Sequence, residues 1–146
     1  MPRRIIRDII AGRGAVAASR DMTVRTASRL MADKRIGALL VVENDRIAGI
    51  FTERDALNKV LAGNLDPDTT PLAAVMVANP QTIRDDRPLA HALHMMTDGG
   101  FRHVPVVSAD GRPLGMVSAR DALGEDLVDL ERDLKRREDL EGSIGY

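Results

Sequence analysis

The chain has 146 residues, 44% of them hydrophobic, with 21 basic and 22 acidic side chains for a net charge of −1; that allows a buried core and implies no global attraction to nucleic acid or an acidic membrane. Aromatic residues make up 2% and Trp is absent, which argues against a stacking platform for single-stranded nucleic acid. Cys is absent too, which excludes disulfides, thiolate catalysis and cysteine zinc sites and fits a reducing cytoplasm, the expected location.

In chain order, the opening segment mixes Arg3, Arg4 and Arg7 with Ile5, Ile6, Ile9 and Ile10. It is too short and too charged for a signal sequence or a membrane span, and it is expected to pack against the folded module. A short strand is expected over 15–18. Apolar residues at Val24, Ala27, Leu30 and Met31 have helical spacing and predict a helix over 23–34, with Asp21 as its cap. The apolar run 39–42 reads as a buried strand. Asn44-Asp45 supplies a turn and 47–51 returns as a second strand, making a hairpin. Thr52 opens a helix through Asp55, Ala56, Leu57, Val60 and Leu61. The stretch 63–71 is rich in Gly, Asn, Asp, Thr and Pro and reads as a linker. The order then recurs: strand 81–83, helix 88–98, strand 104–107, a turn at Ala109-Asp110-Gly111, strand 114–117 and a helix from Ser118. The charge-dense stretch 125–141, with a narrow stripe of Leu127, Leu130 and Leu134, predicts a charged helix that acts as an arm on a partner subunit.

The recurrence is a true internal repeat. Gly49 to Gly115, Thr52 to Ser118 and Asp55 to Asp121 are each separated by 66 positions, and Met31 to Met96 and Val42 to Val107 by 65. A unit of this length is too long for a solenoid repeat. One unit alone buries too little surface to stand by itself. Two copies packed face to face solve that and leave a cleft between them, a common place for a small ligand. The expected fold is α+β: two β-α-β-β-α motifs in pseudo-two-fold symmetry plus a C-terminal helix. The expected boundaries are 1–13 for an N-terminal segment, 14–66 for the first motif, 67–125 for the second and 126–146 for the charged helix and tail.

Both copies end on one pattern: Gly49-Ile50-Phe51-Thr52-Glu53-Arg54-Asp55 and Gly115-Met116-Val117-Ser118-Ala119-Arg120-Asp121. The second also carries Phe101-Arg102-His103-Val104-Pro105-Val106-Val107. These segments resemble the signatures of CBS motifs, and the resemblance covers roughly 14–125. A tandem pair, or Bateman module, is implied: a non-catalytic sensor that binds an adenosine-containing ligand such as AMP, ADP, ATP, NAD or S-adenosylmethionine between its halves. By that resemblance Asp55 and Asp121 accept hydrogen bonds from ribose hydroxyls, for which a carboxylate offers two acceptor oxygens. Thr52 and Ser118 bond phosphate or ribose oxygens at helix N-termini. Arg54, Arg102, His103 and Arg120 neutralise phosphate. The backbone near Val16, Ala17, Thr82 and Ile83 reads the adenine edge, and Val104 and Pro105 line its face. Arg102 and His103 align with Gly37 and Ala38 of the first copy, which therefore lacks the cationic pair. The Asp121 cleft is accordingly expected to be the stronger phosphate site, with the Asp55 cleft left open among a second nucleotide, the adenosine half of a dinucleotide and no ligand.

Other readings compete. Thr52 and Ser118 can be helix caps, and Asp55 and Asp121 ordinary first-turn acids. Gly12-Arg13-Gly14-Ala15-Val16-Ala17 fits G-x-G-x-x-A but runs into a turn rather than a helix, against a dinucleotide fingerprint. His91 and His94 share a predicted helix face without an evident third ligand beyond Asp98, so no metal site is expected. Ser118, His103 and Asp121 lack the nucleophile elbow of a hydrolase. The leading function is therefore regulatory. The alternatives are a ligand-free protein–protein scaffold and, behind it, a nucleotide-acting enzyme. No catalytic cofactor, nucleic acid or membrane partner is expected. A homodimer and an unidentified protein partner are, because little chain follows the pair to receive its signal.

Overall fold

The computed structural model describes residues 4–142, and the side chains of all of these except 125–131 and 141–142. The elements run α1 (Ile6–Ile10), β1 (Ala17–Ala18), α2 (Val24–Lys34), β2 (Ala38–Glu43), β3 (Arg46–Thr52), α3 (Glu53–Asp55, continuing as a π-helix over Ala56–Leu61), α4 (Leu72–Val75) and β4 (Val77–Ala78). The second half continues as β5 (Ile83–Arg84), α5 (Leu89–Gly99), β6 (His103–Val107), β7 (Pro113–Ser118), a 3-10 turn (Ala119–Leu123) and α6 (Gly124–Gly142). Two sheets form, in the orders β1-β2-β3-β4 and β5-β6-β7. In each, a parallel strand lies beside an antiparallel hairpin. The α+β arrangement of two repeated motifs and a C-terminal helix is the one the sequence predicts.

Local chemistry sets these elements. Thr23 caps α2, its Oγ1 accepting the Thr26 N–H at 3.2 Å. The cap is thus Thr23 and not the expected Asp21, because the capping residue must sit directly before the first helical turn. Asn44 and Asp45 both take positive φ, 52° and 57°, the pairing that a tight hairpin turn demands and that Asn and Asp tolerate. After Asp55 the helix widens, so that Ala62 N–H reaches back to Leu57 C=O at 2.9 Å.

Period-2 alternation divides the strands between two faces. Leu39, Val41 and Phe51 join Val24, Ala27, Met31, Val60 and Leu72 in a first core. Val104, Val106 and Val117 join Ile6, Leu89, Ala92 and Met96 in a second. Ala38, Leu40, Ile50 and Pro105 point to the other faces and are buried as well. Those faces look into the space between the halves.

The segments preceding the two motifs are exchanged. Segment 4–10 docks on the second half: Ile6 N–H donates to Arg87 C=O (3.0 Å), Arg7 N–H to Asp85 C=O (2.9 Å) and Leu89 N–H to Arg4 C=O (2.8 Å). Segment 70–79 makes the same contacts on the first half: Leu72 N–H to Met22 C=O (2.9 Å), Ala73 N–H to Arg20 C=O (3.0 Å) and Val24 N–H to Thr70 C=O (2.9 Å). The copies then diverge. β4 adds to the edge of β3, pairing Gly49 with Ala78 and Ile50 with Val77, whereas 11–14 form no strand on β7. Gly49 is required by that pairing, since a Cβ there would meet Met76 Sδ at 2.5 Å and the Val77 carbonyl at 2.9 Å.

Candidate functional site

Thr52 ends β3 in an extended conformation and caps α3. Its Oγ1 accepts the Asp55 N–H at 3.3 Å, and Asp55 Oδ2 accepts the Thr52 N–H at 3.0 Å and the Thr52 hydroxyl at 3.1 Å. This reciprocal cap fixes the carboxylate at the mouth of the inter-half space. Its other oxygen, Oδ1, faces Lys59 Nζ at 3.1 Å, and Lys59 is tied in turn to the Val75 carbonyl at 2.8 Å. The second copy repeats the backbone part: Asp121 Oδ2 accepts the Ser118 N–H at 2.9 Å. The capping role is therefore real in both copies, and it leaves two buried carboxylates at equivalent positions.

A cavity of about 490 Å3 lies over the first of them, within the roughly 300–1,000 Å3 range of small-molecule sites. Thr52, Arg54 and Asp55 line it from the first half, and Arg102 and His103 from the second. The cationic pair of the second copy thus meets the carboxylate of the first. Arg102 and His103 also stay beside their own motif's cap: His103 pairs with Ser118, and the Ala119 N–H donates to the Arg102 carbonyl at 3.0 Å. Both residues stand before or at the start of β6, whose cavity-facing side opens toward β3 across the interface. Burial holds His103 below the ordinary imidazole range, reinforced by Arg102 and opposed by Glu53 and Asp121. With His103 neutral, Arg54 and Arg102 balance Glu53 and Asp55, and the cavity carries little net charge.

The remaining expected residues lie elsewhere. Val104 is fully buried in the second core, so of the pair expected at the adenine face only Pro105 is on the side of β6 that His103 shares. Ile83 also belongs to the second core, Thr82 is exposed ahead of β5, Val16 packs at the margin of the first core, and Ala17 is exposed. Ala38 is buried opposite Thr52 in the hairpin. Arg120 is exposed beside Asp121. Leu127 and Leu130 of the charged helix lie outside the described side chains, and Leu134 is exposed. His94 pairs with Asp98 at 3.1 Å, and among the described residues no three His, Asp or Glu converge as metal ligands.

Sequence reasoning missed the exchanged segment. Val77, Asn79, Pro80 and Gln81 wall the cavity, as do Gly37 and Glu53. An Asn-Pro step just before a strand was the available signal, but nothing local assigns it to the first half. Gly37 is needed for closeness, because a Cβ there would stand 3.3 Å from Glu53 Oε2 and 3.5 Å from His103 Cε1.

The sequence profile of the CBS domain matches twice, over residues 6–62 and 72–127. The chain belongs to the CBS domain family. CBS domain-containing protein CBSCBSPB1 of Arabidopsis thaliana is 37% identical over 95 residues, which is 65% of this chain and 18% of that protein. The chain thus spans about a fifth of the length of that curated relative. Among solved structures, a signal-transduction protein with CBS domains from Burkholderia ambifaria MC40-6 is 34% identical, with a TM-score of 0.74 covering 82% of this chain and 87% of that one. A CBS domain protein of Pyrobaculum aerophilum, complexed with AMP, is 27% identical, with a TM-score of 0.76 covering 87% and 96%. The two CBS motifs account for both sheets and place the cavity between them. Among the described residues no helix is long and apolar enough to cross a membrane.

Proposed function

We propose that this CBS pair is a non-catalytic regulatory module that binds an adenosine-containing ligand, with AMP the best match, in the cavity shared by Asp55, Arg102 and His103. One observation carries the reading: a carboxylate suited to a vicinal diol and the guanidinium groups of Arg54 and Arg102, suited to a phosphate, face one cavity of about 490 Å3. The AMP complex of the Pyrobaculum relative supports the ligand class. The near balance of charge in the cavity favours a monophosphate over a triphosphate, whose extra charge would meet Glu53. The ligand bridges both halves, so it favours whichever relative arrangement of them it binds more tightly. Its signal passes to a second copy or to another protein, for which the exposed Leu57 and Leu61 of the π-helix offer apolar contact.

Calorimetric titration with AMP, ATP, NAD and adenosine tests this. AMP is expected to bind without turnover, and Arg102→Ala is expected to weaken AMP about tenfold while leaving adenosine nearly unchanged. If none of these compounds binds, the module is a scaffold; turnover of any of them would make it an enzyme.

A further inference from the structure

The two equivalent carboxylates keep different company. Asp55 is met by an ammonium from its own helix, and its cavity stands open in front of it. Asp121 is met by a guanidinium from the far end of the chain. Arg13 Nη2 donates to Oδ1 at 2.7 Å and Nη1 to Oδ2 at 3.2 Å, the two-pronged pairing of a planar fork with a carboxylate. Arg4 Nη1 adds a hydrogen bond to the Asp121 main-chain carbonyl at 2.5 Å. Both oxygens of Asp121 are thereby engaged by the guanidinium.

Arg13 is held in this position by the fold. Helix α1 is fastened to the second half by the exchanged main-chain bonds and by the Arg7–Asp85 ion pair at 2.9 Å. Ile10 packs over Gly115, within 3.6 Å of where a Cβ would stand. Gly12, at φ 77°, then turns the chain back toward Asp121, a left-handed conformation that glycine adopts without strain. In the matching arm the offset from Ile6 to Leu72 is 66 positions, so Arg13 corresponds to Asn79 (13 + 66). Asn79 lines the Asp55 cavity with a short neutral side chain. One position in the exchanged arms therefore separates a carboxylate that faces a cavity from one that faces a guanidinium.

The geometry points to Arg13 as a built-in counter-ion that closes the Asp121 cleft to ribose-bearing ligands, so that the chain takes one such ligand, at Asp55. This specificity role rests on the proposed reading of the Asp55 cavity. A ligand at Asp121 would have to displace the guanidinium first. Removing Arg13 frees the carboxylate and restores the symmetry of the pair.

The test is calorimetric stoichiometry with AMP as the probe, on the full chain. The parent, Arg13→Ala and Arg13→Gln are each measured alone and combined with Asp55→Ala or Asp121→Ala. Arg13→Gln keeps most of the side-chain length, should Ala disturb the arm. The expected result is one AMP per parent chain, lost with Asp55→Ala, and two per Arg13 variant, the second lost with Asp121→Ala. Two AMP on the parent, a single AMP on both Arg13 variants that is still lost with Asp55→Ala, or loss of the parent's site with Asp121→Ala instead of Asp55→Ala would each overturn the inference. If the parent binds none and the Arg13 variants bind one through Asp121, the closure stands and the Asp55 reading falls. If neither parent nor variants bind, both fall.

Discussion

Asp55 has two roles that substitutions can separate. Asp55→Ala removes the carboxylate half of the reciprocal cap on α3, which costs about 1 kcal/mol, and leaves the Thr52 N–H without its acceptor. The Lys59 pair adds little, because the Lys59 side chain is 43% exposed and solvent screens it. The sum is about 1–2 kcal/mol of stability, or a fall in Tm of about 3–6 °C for a chain of this size. Hydrogen bonds from ribose hydroxyls to a charged acceptor add about 2–3 kcal/mol to binding, so AMP affinity should fall by about 30- to 150-fold. Asp55→Asn retains an oxygen for the Thr52 N–H and should cost less than about 1 kcal/mol of stability, while its lost charge still weakens AMP. Differential scanning calorimetry reads the first effect and isothermal titration the second. If Asp55→Ala lowers Tm as calculated but binds AMP within about threefold of the parent, the carboxylate is a cap alone and the placement of the ribose is wrong.

Phe51 is fully buried in the first core, and Phe51→Ala should cost about 3–5 kcal/mol in chemical denaturation; a loss below about 1 kcal/mol would mean the first core repacks freely. Gly49→Ala should destabilise by about 1–3 kcal/mol through its clash with Met76 and the Val77 carbonyl. Gly115→Ala, whose Cβ would meet only Ile10 at ordinary contact distance, should leave the melting temperature unchanged or raise it. Equal losses at the two glycines would contradict the asymmetry of the sheet edges. Burial lowers the pKa of His103 from its ordinary value of 6.5. Below that value the unfolded chain takes up a proton that the folded chain resists. Stability is therefore full above 6.5 and falls as the pH drops through it toward the lower folded value. His103→Gln should flatten this part of the profile in denaturant melts; an unaltered slope would show that other groups set it.

The sequence by itself determined the repeat, the β-α-β-β-α order within each motif and the paired Thr/Ser-x-x-Asp caps. These come from forces that act over a few residues: strand alternation, helical spacing, a turn that tolerates positive φ at Asn44 and Asp45, and a cap that closes over three residues. It could also show that only the second copy carries an Arg-His pair. What it could not show was that the pair would share a cavity with the first copy's carboxylate. Arg102 and His103 sit at the entry to β6 beside their own motif's cap, and the packing of the two sheets puts them on one cavity with Asp55 as well. The exchange of segments 4–10 and 70–79 was equally out of reach, because main-chain bonds such as Ile6 to Arg87 join residues 81 positions apart and leave no periodic mark. The same exchange brings Arg13 onto Asp121, 108 positions away. Two carboxylates alike in local pattern thus acquire different surroundings, and only the tertiary structure decides which faces the cavity and which meets the guanidinium of Arg13.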